Sequence, residues 1–412
     1  MSGPFLAAAI EIGETLVASA IPGPGGCGWI GDDLAGLTPA DAHVVTGPVG
    51  PDLYGGTIGI AWFLAHLARA TDATRFAPTA RAGARSALAR AAAGDLGASL
   101  YSGTAGIALA ALEVARALDD RELAAEAEAL AGGVAETLKP GRADGDACDL
   151  IGGVAGTCLA CLAIGRVTGQ RRFLDAAAAR CRILVERGTA AWWGTSWPVE
   201  PGAPGLCGLG HGASGIALAL AETAWATGDA GLLDCARAAF AYERGRFSPE
   251  RCAWPDLREP GAEAWTAAWC HGALGIGAVR LRFHEAMPED WALAEASAAL
   301  QSARTLAIQA GRDMAEGVAH DVTLCHGLGG VAELMFLAAE VLHAPAHRLA
   351  GQRVAEICLR VRAVNGGQWT NGLRGCRNVP GLMAGDAGIG IAMLRAHDGA
   401  AAGSPLLAGR PA

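Results

Sequence analysis

Three residues in this chain have the types and context to hold a metal ion: Cys270 in WCHG (269–272), and Cys325 and His326 in CHG (325–327). Two thiolates and one imidazole suit Zn²⁺, and three protein ligands leave a fourth position for water or a substrate, the pattern of a catalytic zinc. Taken singly, each Cys would more often be a packed core residue and the His a hydrogen-bonded one. Their shared position relative to a following Gly favours the metal. His211 stands in the same place in CGLGHG (207–212), where a neutral imidazole can act as general acid or base. Asp149, in DLIGG (149–153), either reaches the same opening or caps a helix, a task Asp does well. His271 lies between Cys270 and Gly272. It reads as a rim residue, with a fourth ligand or a second acid/base group as the alternatives.

Residues so far apart converge only if the chain repeats. The tetrapeptide G-x-x-G, followed at once by an apolar helical run, begins at Gly56, Gly103, Gly153, Gly212, Gly272, Gly327 and Gly385. One such tetrapeptide means little in a chain with 59 Gly, but seven at quasi-regular spacing in one context mark a repeat architecture. Immediately before the first Gly the repeats read Gly55, Ser102, Gly152, His211, His271, His326 and Ala384. One position earlier they read Tyr54, Tyr101, Ile151, Gly210, Cys270, Cys325 and Met383. Equivalent positions fall at the same end of a repeat fold, so the candidate metal and acid/base residues gather around one mouth.

Between successive copies lie second helical segments rich in Ala and Arg: 77–93, 120–138, 171–187, 230–244, 290–310 and 346–363. The first helix of each pair is apolar almost all round, as a helix covered on every side must be, and the second carries charge on one face. This predicts an all-α fold, an α/α toroid of seven helical hairpins with inner and outer layers, in a single domain spanning 1–412. Closure spares it the polar caps of an open solenoid. No sustained period-two alternation predicts a sheet.

The composition excludes several classes. With 52% apolar and 18% charged residues the chain can bury a large core, and its net charge of −9 with no Arg/Lys block argues against nucleic acid. Every apolar run is broken before the ~20 residues that a membrane span needs. Met1–Ala20 has no basic start and carries Glu11 and Glu14, so no signal peptide is expected and the protein reads as cytoplasmic. Disulfides are then disfavoured for the twelve Cys, and Cys158 and Cys161, one helical turn apart in TCLACLAIG, read as core packing.

The segments GLGHGASGIALAL (208–220), AWCHGALGIG (268–277), LCHGLGGVAEL (324–334) and PGLMAGDAGIGIAML (380–394) resemble the lanthionine synthetase C-like (LanC-like) family of cyclases, over essentially the whole chain. WPDLR (254–258), and CHG in place of CYG, bring the resemblance nearest to the cyclase halves of fused dehydratase-cyclase enzymes. The resemblance implies an α/α toroid with one Zn²⁺ on Cys270, Cys325 and His326, and an acid/base pair of His211 and Asp149. It implies addition of a peptide Cys thiol to dehydroalanine or dehydrobutyrine, closing thioether rings in a dehydrated precursor peptide supplied by a separate dehydratase. Addition of glutathione or another thiol to dehydrated residues, and a non-catalytic zinc-containing peptide scaffold, are the rival readings. Thr266 stands where some stand-alone cyclases carry an Arg, and no inserted SH3-like strand domain is evident between the early repeats.

Overall fold

The computed structural model describes residues 3–35, 41–71, 74–94, 96–138, 147–200, 202–258 and 264–410. Its helices are, in chain order, α1 (Pro4–Ala18), α2 (Thr57–Thr71), α3 (Ala77–Ala93), α4 (Thr104–Leu118), α5 (Arg121–Thr137), α6 (Val154–Thr168), α7 (Arg171–Arg187), α8 (Ala213–Thr227), α9 (Ala230–Arg244), α10 (Ala273–Ala286), α11 (Asp290–Ala315), α12 (Leu328–Val341), α13 (Pro345–Val364) and α14 (Asp386–His397). Each even-numbered helix starts on the residue after the first Gly of a G-x-x-G. In α2 every residue from Thr57 to Ala68 is buried. The even-numbered helices touch in sequence, and α14 returns to α2, so the inner layer is a closed ring of seven.

Six outer helices, α3 to α13, pack on the inner helices that precede them, close to the predicted ranges, with α11 running five residues further than expected. The seventh is where expectation and fold part: among the described residues no outer α-helix follows α14. Its partner is α1, the apolar N-terminal stretch to which the sequence reading gave no structural role. Ala8, Ala9, Ile12 and Leu16 of α1 are buried, so the seventh hairpin is completed by helices from opposite ends of the chain.

Among the described residues strands form four two-stranded antiparallel ribbons: β1 (Ile21–Gly23) with β2 (Gly26–Gly28), β3 (Ile30–Ala35) with β4 (His43–Pro48), β5 (Thr189–Ala191) with β6 (Gly194–Ser196), and β7 (Pro255–Asp256) with β8 (Ala264–Trp265). All but β3 and β4 are two or three residues long, too short to give a period-two signal. Among the described residues no helix is long and apolar enough to cross a membrane. Cys158 and Cys161 are fully buried with thiols pushed up by burial, as core packing requires, and none of the twelve Cys is in a disulfide.

The glycines are fixed by close approach. Inner helices lack side-chain N-caps, and the loop before each folds back to supply carbonyls instead. The first helical N–H donates to the carbonyl seven residues earlier: Thr57 to Gly50 (2.8 Å), Val154 to Ala147 (3.1 Å), Ala213 to Leu206 (3.0 Å) and Leu328 to Asp321 (3.0 Å). That tight loop presses a carbonyl against the second Gly of the tetrapeptide, so a Cβ on Gly106 would overlap the Leu100 carbonyl and one on Gly388 the Leu382 carbonyl. Since backbone cannot swing aside as a side chain can, Gly106→Ala is expected to destabilise the protein by about 3 kcal/mol, at the upper end of ordinary single substitutions. Urea unfolding followed by helical circular dichroism checks it, with exposed Gly133→Ala in α5 as the control, where a Cβ meets nothing and the change is expected to stabilise by about 0.5–1 kcal/mol.

Candidate active site

The loops that carry the candidate residues are bonded into a belt. The Tyr54 N–H donates to the Tyr101 carbonyl (3.0 Å), Ser102 to Ile151 (3.2 Å), Leu150 to Gly210 (3.0 Å), Gly210 to Cys270 (3.1 Å), Trp269 to Cys325 (2.7 Å), Cys325 to Met383 (2.8 Å) and Met383 back to Tyr54 (2.8 Å). The seven accepting carbonyls belong to the seven residues two positions before the first Gly of each repeat. The register that aligns Cys270 with Cys325 in sequence is thus a hydrogen-bonded circle in space.

On this belt the sulfurs of Cys270 and Cys325 and a ring nitrogen of His326 all lie within 4.8 Å of one another. Both Cys are buried and His326 is exposed to the mouth. The Tyr54 hydroxyl donates to Cys325 Sγ at 3.0 Å. Burial, reinforced by the charge on Cys325, pushes that phenol up, so it remains a donor. A hydrogen bond from Cys325 holds the Cys270 thiol well below its ordinary range, against burial and with help from His326. Burial pushes Cys325 up. Burial works against the charged form of His326, yet the hydrogen bond and charge of Cys270 hold it above the ordinary histidine value. Two sulfurs and an imidazole drawn together, with one sulfur already favouring its anion, are a donor set that fits a thiophilic divalent cation.

Beside this cluster, His211 Nδ1 lies 2.6 Å from Asp149 Oδ2. The other carboxylate oxygen, Asp149 Oδ1, accepts the Gly152 N–H at 2.9 Å. Of the two roles weighed for Asp149, the structure has it reach His211; it does not cap α6, whose N-cap is Gly153, and its second oxygen anchors its own loop instead. With Nδ1–H donated, Nε2 is the basic nitrogen. His211 remains about one-third exposed. His271 is buried and stacks on His211, ring centroids 5.1 Å apart and 18° from parallel. Burial pulls its pKa down to about 4, which keeps the ring neutral at physiological pH. Arg258 of WPDLR pairs with buried Asp256 at 2.6 Å, and its positive charge bears on both His271 and His326.

Sequence reading missed the support beneath His211. Glu243 on α9 and Arg280 on α10 are fully buried and paired at 2.9 Å. Glu243 Oε1 accepts the N–H groups of Gly208 (2.8 Å) and Ser214 (3.0 Å), clamping the CGLGHG loop from both sides. Arg280 also binds Glu295 at 2.7 Å. Burial opposes the Arg280 charge, but Glu295 and Glu243 outweigh it and raise the guanidinium pKa. The available signal was Arg280 two turns into an inner helix whose preceding residues, Ala273 to Val279, are all apolar or Gly. Tyr54 was visible in the register beside Cys270 and Cys325, but a phenol there announces no chemistry until its contact with sulfur is known.

A family model described as lanthionine synthetase C-like protein matches residues 47–406. The chain belongs to the lanthionine synthetase C-like family. In fold it is similar to nisin cyclase, with a TM-score of 0.65 and 19% identity over 84% of this chain and 89% of that one. An α-1,6-mannanase of Salegentibacter sp. has a TM-score of 0.51 at 11% identity, covering 95% of this chain and 99% of that one. At such identities these likenesses speak for the helical ring alone, which carries unrelated chemistries. No curated protein gave a significant sequence match. Family members thus share the scaffold, and the Glu243 clamp lies within the matched span. Removing one partner of a fully buried pair leaves an uncompensated charge, so Glu243→Ala is expected to cost about 3–5 kcal/mol, read as a lowered midpoint in thermal or urea unfolding.

Proposed function

We propose that the protein is a zinc-dependent lanthionine and methyllanthionine cyclase, adding a peptide Cys thiol to dehydroalanine or dehydrobutyrine in a ribosomal precursor. The observation that carries this reading is the Cys270–Cys325–His326 cluster beside an Asp149-oriented His211, on a chain of this family. Cys270, Cys325 and His326 would hold the metal. A free thiol with a pKa near 8.5 is only about 3% ionised at pH 7, and bound zinc supplies the ionisation of the substrate thiol at neutral pH.

The chain's own groups account for the remaining tasks. The Tyr54 hydroxyl donates to Cys325 Sγ and fixes that sulfur's direction. Attack at the β-carbon leaves an enolate whose α-carbon needs a proton, and His211 supplies it from Nε2 while Asp149 holds Nδ1. The reverse assignment, with the pair accepting the thiol proton first, uses the same contacts. His271 keeps the far face of His211 covered by a neutral ring. The substrate class is a peptide already dehydrated by a separate enzyme, encountered in the cytoplasm, where its thiols stay reduced. The free thiols of this chain suit that compartment. Thioether addition of glutathione is the second reading, since the same dehydro acceptor takes either thiol once its sulfur is ionised.

Two outcomes test the proposal. Purified protein is expected to carry one zinc per chain by metal analysis, and Cys325→Ala to lose most of it while circular dichroism stays unchanged. His211→Asn is expected to retain zinc and to slow ring closure of a pre-dehydrated peptide by about 10²–10⁴-fold under single-turnover conditions, the usual weight of general acid catalysis. Ring closure is read as loss of free thiol at constant mass, whereas glutathione addition raises the mass. Loss of zinc from His211→Asn would make His211 a ligand instead.

A further inference from the structure

A sizeable cavity lies away from the Cys cluster. A space of about 820 Å³ lies beneath the belt, between α2, α4, α12 and α14 and the segment 399–410. Leu53 and Leu382, each one residue before a belt position, line it at the upper end, and Arg116, near the end of α4, lines it at the lower. Its walls are apolar: Trp62, Leu109, Phe336 and Leu407 face it. That volume is within the roughly 300–1,000 Å³ of ordinary small-molecule sites, which combine apolar walls with a few polar groups.

The polar groups here have one sign to spare. Arg395 and Arg410 also line the cavity, but both are engaged, Arg395 with Glu333 and Glu340 and Arg410 with Glu285 and Glu340. Arg116 and Arg348 make no salt bridge among the described residues. Arg348 lies over the Phe336 ring, 5.8 Å from its centre. Glu113, one helical turn before Arg116, accepts from Trp62 Nε1, and burial raises its carboxyl against that hydrogen bond and the Arg116 charge. Ser404, more than nine-tenths buried, lines the same space with its hydroxyl unpartnered. In a protein of net charge −9, two guanidiniums outside any salt bridge, beside a hydroxyl and an apolar chamber, form a selective surface.

The segment that closes the cavity is built into the ring. Leu406 is fully buried, and its carbonyl accepts from Trp269 Nε1 at 3.0 Å, while the Pro405 carbonyl accepts from the Tyr101 hydroxyl at 3.0 Å. The chamber is therefore a formed pocket with a fixed wall rather than a gap beside a loose tail.

We infer that this chamber is a second binding site, separate from the Cys cluster, for a small apolar molecule bearing a carboxylate, its chain among Trp62, Leu109, Phe336 and Leu407 and its anionic head on Arg116 and Arg348. The site is independent of the proposed cyclase activity. The probe is decanoate, titrated by calorimetry into the zinc-loaded full-length protein, with decanol as the uncharged comparison. Decanoate is expected to bind saturably at one site per chain and to change Trp fluorescence. Arg116→Gln combined with Arg348→Gln is expected to weaken it by about tenfold or more, the weight of one charge-assisted hydrogen bond. Cys325→Ala is expected to leave it unchanged. Leu109→Phe, which narrows the chamber without touching the charges, should weaken both decanoate and decanol. Absence of saturable binding to the wild type, decanol binding as tightly as decanoate, or full affinity in the folded double-Gln variant would each overturn the inference.

Discussion

The belt of seven inter-repeat hydrogen bonds is the constraint on which the rest of the molecule depends. Each bond joins the loop of one repeat to the next, and the last returns to the first, so no loop can shift alone without opening two contacts. The paired glycines of each tetrapeptide make the belt possible by letting those loops press directly on the helix starts. The inner helices are then spaced by their loops as much as by their side chains. A candidate metal-binding set assembled from two different repeats inherits its precision from this circle, because Cys270 and Cys325 are themselves members of it.

Around the belt, charge is distributed unevenly and with consequence. The mouth holds two sulfurs, three imidazoles and the Asp149 carboxylate within a small arc, whereas the deep interior between α9 and α10 contains a dry cluster of Glu243, Arg280 and Glu295. Such buried pairs contribute little net stability against a well-packed apolar core, and their value is in direction. Glu243 accepts from the backbone on both sides of His211, so the cluster fixes where one catalytic candidate stands. Asp149 does the same from the neighbouring repeat. The imidazole is thus held from beneath by a fully buried carboxylate and from the side by a mostly buried one.

Much of this was legible in the sequence because a repeat converts spacing into geometry. The inner helices begin where the glycines place them, and Cys270, Cys325, His326, His211 and Asp149 come together as their register implies. What escaped had no periodic signature. Helix α1 lacks a tetrapeptide of its own, and its pairing with α14 crosses nearly the whole chain, so local pattern cannot reveal it. The Glu243–Arg280 pair joins different repeats, and the short ribbons are set by loop closure. Tyr54 shares the right slot, but its meaning comes from a sulfur 3.0 Å away in another repeat.

Because α1 completes the seventh pair, chain order and assembly order run out of step. Helix α1 precedes the other inner and outer helices in sequence, yet its face of Ala8, Ile12 and Leu16 is covered by α14, which follows the six other inner helices. Contacts of such long sequence separation form late, since the loop they close spans the whole ring. Until that contact forms, the folding chain is an open arc whose two edges both carry apolar surface, a state suited to mispairing with another copy. The same arrangement makes helix order a matter of wiring rather than of architecture: the ring needs α1 against α14 and is indifferent to the distance between them along the chain.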